Sequence, residues 1–205
     1  MLVVLDYGVS NIGSLINMLK KIGARATVTH QSDVIQQAAK IILPGIGAFD
    51  AGMQRLNELG IIESLNQKVL TEKIPTLGIC LGMQLMAKKS EEGQLPGLSW
   101  FDAEVVKFHF NDAPVKLKIP HMGWNFIDVK KPSRLFSDTA AGRKFYFVHS
   151  YHLKMNDAND VLATSNYGYP FASAIERGNI AGVQFHPEKS HRFGYELLKN
   201  FVEKF

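Results

Sequence analysis

The stretch Pro75-Thr76-Leu77-Gly78-Ile79-Cys80-Leu81-Gly82-Met83-Gln84-Leu85 constrains this chain more than any other. An apolar run suited to a buried strand reaches Cys80 and passes directly into an apolar, helix-like segment. Gly78 and Gly82 stand two residues either side of the cysteine, the spacing of a nucleophile elbow with sulfur in place of a serine oxygen. Such a turn is tight and strained, so small residues must flank the nucleophile. It lifts the side chain clear of the sheet edge and aims the N–H groups opening the helix at whatever the sulfur attacks. The positive end of the helix also favours the thiolate. The competing reading is that Cys80 is a small buried hydrophobe. A partner base decides between them, because a nucleophilic cysteine needs a group to hold its proton.

A base is found far along the chain, in Gly182-Val183-Gln184-Phe185-His186-Pro187-Glu188-Lys189-Ser190. A β-like apolar run ends there in His186, and an acid follows two residues on at Glu188. Together these form a three-part relay of nucleophile, proton carrier and orienting carboxylate. Two other histidines compete for the role of base. His121 has no carboxylate at a useful spacing, and His149 ends an aromatic, strand-like run from Phe145 to His152, where a structural role is the alternative. His149 and His152 are three residues apart, which in one strand sends them to opposite faces, so no metal site is expected.

Taken in order, Leu2–Leu5 reads as a buried first strand. Asp6–Asn11 is turn chemistry, with Ser10 or Asn11 as the helix N-cap. Ile12, Leu15, Ile16 and Leu19 recur at helical spacing until Gly23. Ala26–Thr29 and Ile41–Leu43 read as strands, and residues 50–59 and 61–70 as helices parted by Gly60. Short strands and turns fill residues 93–108. Val161–Thr164, Ala172–Glu176 and Ile180–Phe185 are further strands, and a final helix carries Phe193, Leu197, Leu198, Phe201 and Val202. Strands alternating with helices predict an α/β fold, a doubly wound and mostly parallel sheet flanked by helices, with some antiparallel strands in the second half. At 205 residues the chain suits a single domain, 1–205.

Composition excludes several classes. The net charge of +4 is spread over isolated pairs such as Lys20-Lys21, Lys88-Lys89 and Lys130-Lys131, not a basic stripe, so no nucleic-acid partner is expected. No apolar run approaches the roughly 20 residues that cross a bilayer, and the first residues lack a signal peptide's basic region. The single cysteine rules out an internal disulfide and suits a reducing, cytoplasmic setting. No Walker P-loop is present, and no cofactor is expected. The loop Pro44-Gly45-Ile46-Gly47-Ala48-Phe49 could cradle a phosphate, but its G-x-G is an incomplete dinucleotide fingerprint. Alternatively, its glycines let backbone N–H groups approach a developing negative charge. Trp124, within His121-Met122-Gly123-Trp124-Asn125, is either a core residue of a hairpin or an interface hot spot.

The motifs G-x-C-x-G-x-Q and F-H-P-E resemble those of the triad (class I) glutamine amidotransferases, and the resemblance runs over essentially the whole chain. It implies glutamine hydrolysis by Cys80, His186 and Glu188, with ammonia passed to a synthase. It implies oxyanion donors near Ile46 and Gly47, completed by the N–H of Leu81. Gln84 and Glu92 would hold glutamine's amino-acid end, with Glu91 a rival register, and Ser150 and Tyr151 would line the pocket through their backbone. A partner would meet His121, Met122, Gly123, Trp124 and Asn125, with Asn11 and Lys189 beside them.

Within the family the likeness is greatest to glutaminase subunits of imidazole glycerol phosphate synthase, whose partner is a (β/α)8 barrel cyclase. Pro96–Val105 departs from that pattern and is similar to duplicated copies that feed a sugar amidotransferase in bacterial surface-polysaccharide synthesis. A stand-alone hydrolase or peptidase of the superfamily is a further rival. A catalytically inactive binding module is the alternative from another class.

Overall fold

In the computed structural model, residues 1–9, 11–110, 117–136 and 142–205 are described; Ser10, one of the two expected N-caps, lies outside them. The expected strand–helix alternation opens the chain. β1 (Leu2–Leu5), β2 (Ala26–Thr29), β3 (Lys40–Gly45) and β4 (Thr76–Cys80) are interleaved with α1 (Ile12–Ile22), α2 (Ser32–Gln36), α3 (Phe49–Glu58) and α4 (Ile62–Asn66). α5 (Leu81–Gln84) follows Cys80 at once. The second half is mostly strand: β5 (Lys89–Ser90), β6 (Ala103–Lys107), β7 (His121–Phe126), β8 (Asp128–Val129), β9 (Lys144–His149), β10 (Tyr151–Met155), β11 (Val161–Tyr167), β12 (Tyr169–Arg177) and β13 (Ile180–Val183). α6 (His191–Glu203) is the last element.

One sheet joins both halves in the order β2-β1-β3-β4-β13-β12-β10-β6-β5, with β11 and β8 attached beyond β12. From β2 to β13 neighbouring strands are parallel. β12 and β10 then extend the sheet with antiparallel pairing. β7 and β9 stand apart as a two-stranded antiparallel sheet. Near-continuous apolar strands such as Leu2–Leu5, buried at every residue, are what a parallel sheet covered on both faces requires. Two apolar clusters fill the space on its two sides. α1 and α6 lay their apolar stripes on one of them, through Leu15, Leu19, Leu197, Leu198 and Phe201. Gly23 ends α1 in the left-handed conformation, its φ of 86° satisfying the helix's last carbonyls.

Two elements are shorter than their sequences suggest. The helix over 61–70 stops at Asn66 and widens into a π-helical turn, Gln67–Thr71. Lys68 is buried there, its ammonium bonded to the Gln36 carbonyl (3.0 Å) and to Glu72. The helix after Cys80 is a single turn, so its dipole contributes less at the sulfur than a longer helix would.

Candidate active site

The parallel strands β3, β4 and β13 are neighbours, and their carboxyl ends bring three distant segments together. Cys80 closes β4 with φ 53° and ψ −108°, a left-handed backbone that a side chain rarely adopts. The flanking glycines are explained by contact. A Cβ on Gly82 would lie 1.8 Å from the Leu43 carbonyl oxygen of β3, and one on Gly78 would lie 2.8 Å from the Gly82 oxygen. The elbow thus folds so tightly against its neighbour that neither position has room for a methyl group.

His186 leaves the end of β13 and is buried beside the cysteine. Its Nδ1–H donates to Glu188 Oε1 at 2.8 Å, which fixes the tautomer and leaves Nε2 for the sulfur. The backbone holds this loop at several points. His186 N–H donates to the Tyr146 carbonyl (2.9 Å), Tyr146 N–H donates to Ser190 Oγ (3.0 Å), and Ser190 Oγ–H donates to the His186 carbonyl (2.6 Å). Burial opposes charge on the His186 ring, but the Cys80 sulfur and the Glu188 carboxylate together outweigh it and raise its pKa to about 10. The arrangement therefore favours the charged form of the His186 ring between Cys80 and Glu188.

A cavity of about 400 Å³ opens over the cysteine. Its wall includes Ile46, Gly47, Leu81, Gln84, Glu92, Ser150, Tyr151 and Lys189, together with Cys80 and His186. Hollows of about 500 and 600 Å³ lie elsewhere on the chain, and neither contains the cysteine. Glu92, and not Glu91, reaches this wall. Its Oε2 accepts the Phe49 N–H at the start of α3 (2.8 Å), whereas Glu91 accepts the Lys107 N–H outside it.

Gln84 is already engaged. Its Nε2 donates to the Tyr151 carbonyl (3.0 Å) and to Gln184 Oε1 (3.1 Å), so only its carbonyl oxygen is left for a ligand. The Ile46 N–H is likewise taken, by the Val9 carbonyl at 2.7 Å, so it does not serve as an oxyanion donor in this arrangement. Gly47 has a φ of 106° and empty space where a Cβ would stand. Tyr7 is wholly buried with an unpartnered hydroxyl, close enough to Gly45 that a Cβ there would meet it at 2.3 Å. Burial first and the Cys80 charge second push its pKa up.

Sequence reasoning missed Gln184. It is fully buried, and its Nε2 donates to Cys80 Sγ at 3.7 Å. A polar residue near the end of an apolar run, two before the candidate base, was the available signal.

The expected interface strand divides in two. Met122, Trp124 and Phe126 are exposed on one face of β7, with the Trp124 ring parallel to His191 at 5.4 Å. His121 is buried on the other face, where it bonds His149 instead of facing a partner or Cys80. Gly123 and Asn125 are half-buried, and Asn11 is exposed at the start of α1 with no side-chain cap bond. The opposite-face expectation for His149 and His152 fails, because both rings pack against Phe108 and Phe171. Ser150 separates β9 from β10, so strand alternation does not run through. Among the described residues, no three His, Cys, Asp or Glu side chains are grouped to hold a metal ion, and no helix is long and apolar enough to cross a membrane.

Residues 3–205 match the family described as glutamine amidotransferase class-I. The chain belongs to that family. It is 48% identical to imidazole glycerol phosphate synthase subunit HisH 2 of Methanococcus maripaludis, over 100% of both chains. It is 48% identical to subunit HisH 2 of Pseudomonas aeruginosa over 99% of both. It is 42% identical to subunit HisH of Leptospira interrogans over 98% of this chain and 99% of that one. The fold is shared with a putative GMP synthase component of Thermoplasma acidophilum at a TM-score of 0.72 and 20% identity, covering 98% of this chain and 91% of that one. It is also shared with another glutamine amidotransferase at a TM-score of 0.76 and 18% identity, covering 98% and 97%.

Proposed function

We propose that this amidotransferase is the glutaminase subunit of an imidazole glycerol phosphate synthase, hydrolysing L-glutamine to glutamate and passing the ammonia to its synthase partner in histidine biosynthesis. The observation that carries this reading is the Cys80–His186–Glu188 set, assembled at adjacent strand ends beside a cavity of about 400 Å³. The chain is also matched end to end by relatives bearing that subunit's name. The thiolate of Cys80 attacks the γ-carboxamide carbon while His186 holds the proton. The tetrahedral adduct collapses as His186 returns that proton to the leaving ammonia. His186 then takes a proton from water, which attacks the γ-glutamyl thioester and frees glutamate. Glu188 stabilises the imidazolium throughout.

Leu81 N–H and the backbone N–H groups of Ile46 and Gly47 are the proposed oxyanion donors. Ile46 N–H is bonded to Val9, so the loop must turn before it can serve, and partner docking is the natural trigger. Gln84 Oε1, Glu92 and the Ser150–Tyr151 backbone hold the substrate's amino-acid end. Met122, Trp124 and Phe126 supply the apolar centre of the partner surface, with Gly123, Asn125, Asn11 and Lys189 around it. The partner is a (β/α)8 barrel cyclase, and this chain is one cytoplasmic domain, residues 1–205.

A second reading has its own support. The two relatives at 48% identity are both numbered as second subunits, while those numbered as first subunits stand at 41–42%. That gradient favours a duplicated copy, and the resemblance of Pro96–Val105 to copies that feed a sugar amidotransferase is what suggests its customer. The segment Pro96–Val105 does not discriminate by contact, since Leu98, Trp100, Phe101, Ala103 and Val105 are all buried in the core.

Glutamate release from glutamine by the full chain tests both readings. It is measured alone, with a histidine-pathway cyclase and its acceptor nucleotide, and with a sugar amidotransferase. Cys80→Ala is expected to lower the rate by at least about 10⁴-fold. Stimulation by the cyclase establishes the first reading, and stimulation by the sugar enzyme alone establishes the second. A wild type equal to Cys80→Ala under every condition removes both.

A further inference from the structure

An unbroken set of buried and part-buried polar contacts joins the inner face of β7 to the nucleophile. The Tyr151 carbonyl can only accept, so the 2.8 Å contact with His149 Nδ1 places that ring's proton on Nδ1. His149 Nε2 is then a lone pair, and the 2.9 Å contact requires His121 to donate from its own Nδ1. His121 Nε2 must in turn accept, and Asn125 Nδ2 lies 3.2 Å away to donate to it. At the other end the same Tyr151 carbonyl also accepts Gln84 Nε2. Gln84 Nε2 donates onward to Gln184 Oε1, and Gln184 Nε2 donates to Cys80 Sγ. Every donor and acceptor in this series is determined by its neighbour, with no group free to reverse.

The series begins on a strand outside the main sheet. Among the described strands β7 pairs with β9 alone, in a register that sets His121 opposite His149, and its Asn125 Nδ2 also donates to the Asn166 carbonyl of β11 (2.9 Å). Met122, Trp124 and Phe126 project from its exposed face. The His121 ring is held between Phe147 (centroids 4.8 Å) and Tyr167 (4.1 Å), which fixes it where both of its ring nitrogens are bonded. Burial keeps both rings neutral in support of this pattern, lowering His121 to about 4 and His149 to about 3.

The geometry points to His121 and His149 as positioning residues for the glutaminase reaction, which hold the Tyr151 carbonyl and, through Gln84 and Gln184, aim an N–H at the Cys80 sulfur. The inference rests on the glutaminase reading above, but one of its two readouts does not need it. Cys80 is the only cysteine, so alkylation by iodoacetamide reports on that sulfur alone.

The test compares two substitutions in the full chain. His121→Asn keeps an N–H near the position of Nδ1, whereas His121→Gln reproduces the reach of Nε2 and loses the Nδ1 donor. The relay predicts that His121→Asn stays within about twofold of wild type. His121→Gln is expected to lower both kcat for glutamate release and the alkylation rate by about three- to tenfold, the range of one hydrogen bond. If His121 only fills space, the larger glutamine is the better replacement, and His121→Gln equal to or above His121→Asn overturns the proposal. Adding Gln184→Leu to His121→Gln should cause no more loss than Gln184→Leu alone; effects that multiply also overturn it. Were the wild type to release no glutamate, the alkylation ranking would still decide. Were His121→Gln not to fold, long-range ¹H–¹⁵N spectra of the wild type decide. Protons on Nδ1 of both His121 and His149 are required, and a proton on Nε2 of either ends the relay.

Discussion

Two loops at the carboxyl ends of neighbouring strands face each other across the cavity and are built in opposite ways. The elbow at Cys80 is buried and crowded, with Gly78 and Gly82 pressed against backbone. The loop at Ile46–Gly47 has an exposed isoleucine, open space at Gly47, and one amide bonded to Val9. Gly45 and Cys80 are opposite each other in the β3–β4 ladder, so the contrast arises within one pair of strands. The nucleophile is over-determined by packing, while in the facing loop the Ile46 N–H is engaged with the Val9 carbonyl, a hydrogen bond it must give up to act as an oxyanion donor. Rigidity on one side and freedom on the other is what a site needs if its sulfur is permanently placed and its activity is switched.

Alanine at the glycines gives the largest expected effects. Gly82→Ala puts a methyl group 1.8 Å from the Leu43 oxygen, which should destabilise the chain by at least about 3 kcal/mol in denaturant unfolding, since backbone cannot retreat as a side chain can. Gly47→Ala meets no atom of the described residues and carries the strain of a φ of 106°, about 1–2 kcal/mol. Its glutaminase rate should nevertheless fall by about 10²-fold, because the strain biases the peptide that supplies the oxyanion donor. Equal destabilisation by the two substitutions would break the comparison.

Amide hydrogen exchange sharpens it without mutation. Ile46 and Gly47 should exchange at least roughly 100-fold faster than Ile79 and Cys80, whose strand lies at the centre of the parallel sheet. Comparable protection at all four positions would mean that the loop is as fixed as the elbow, and the proposed turning of the Ile46 peptide would lose its basis.

The same contrast explains what could be read in advance. The elbow is a local solution, since strand, turn, glycine spacing and nucleophile all fall within Gly78–Gly82 and imply one another. His186 and Glu188 are legible for the same reason, two residues apart at a strand end. The parallel half of the sheet follows from apolar runs alternating with helices. What escapes is set by contacts between distant segments. Nothing near Ile46 announces that its N–H goes to Val9, and nothing near Gln84 says that Tyr151 and Gln184 occupy its amide. The one-turn length of α5 is set by packing, because an apolar sequence continues through Leu85–Ala87 without remaining helical. The two faces of β7 were beyond reach of composition, since His121 and Trp124 look alike as interface residues until the pairing with β9 turns one inward.

Acid should find a weak point on the elbow's side that the facing loop lacks. Pro44–Gly47 contains no titratable side chain, whereas the elbow's wall depends on neutral His149. Burial comes first among the causes that bring His149 down to about 3 from its ordinary 6.5. Nearby positive charge on His121, His152 or His186 adds to it, and the Tyr151 carbonyl opposes it. A folded pKa below the unfolded one means that the unfolded chain binds the extra proton between those two values. The stabilisation is therefore complete above pH 6.5 and is lost as pH falls from 6.5 toward 3. The loss amounts to about 1.4 kcal/mol per pH unit from this one group, so denaturant unfolding at pH 5 should show about 2 kcal/mol less stability than at pH 7 from His149 alone. His149→Asn, which cannot take up a proton, should remove that part of the slope whatever its effect at pH 7. If the slope is unchanged in the variant, His149 is not the acid-sensitive group, and the rigid side of the site owes nothing to its neutrality.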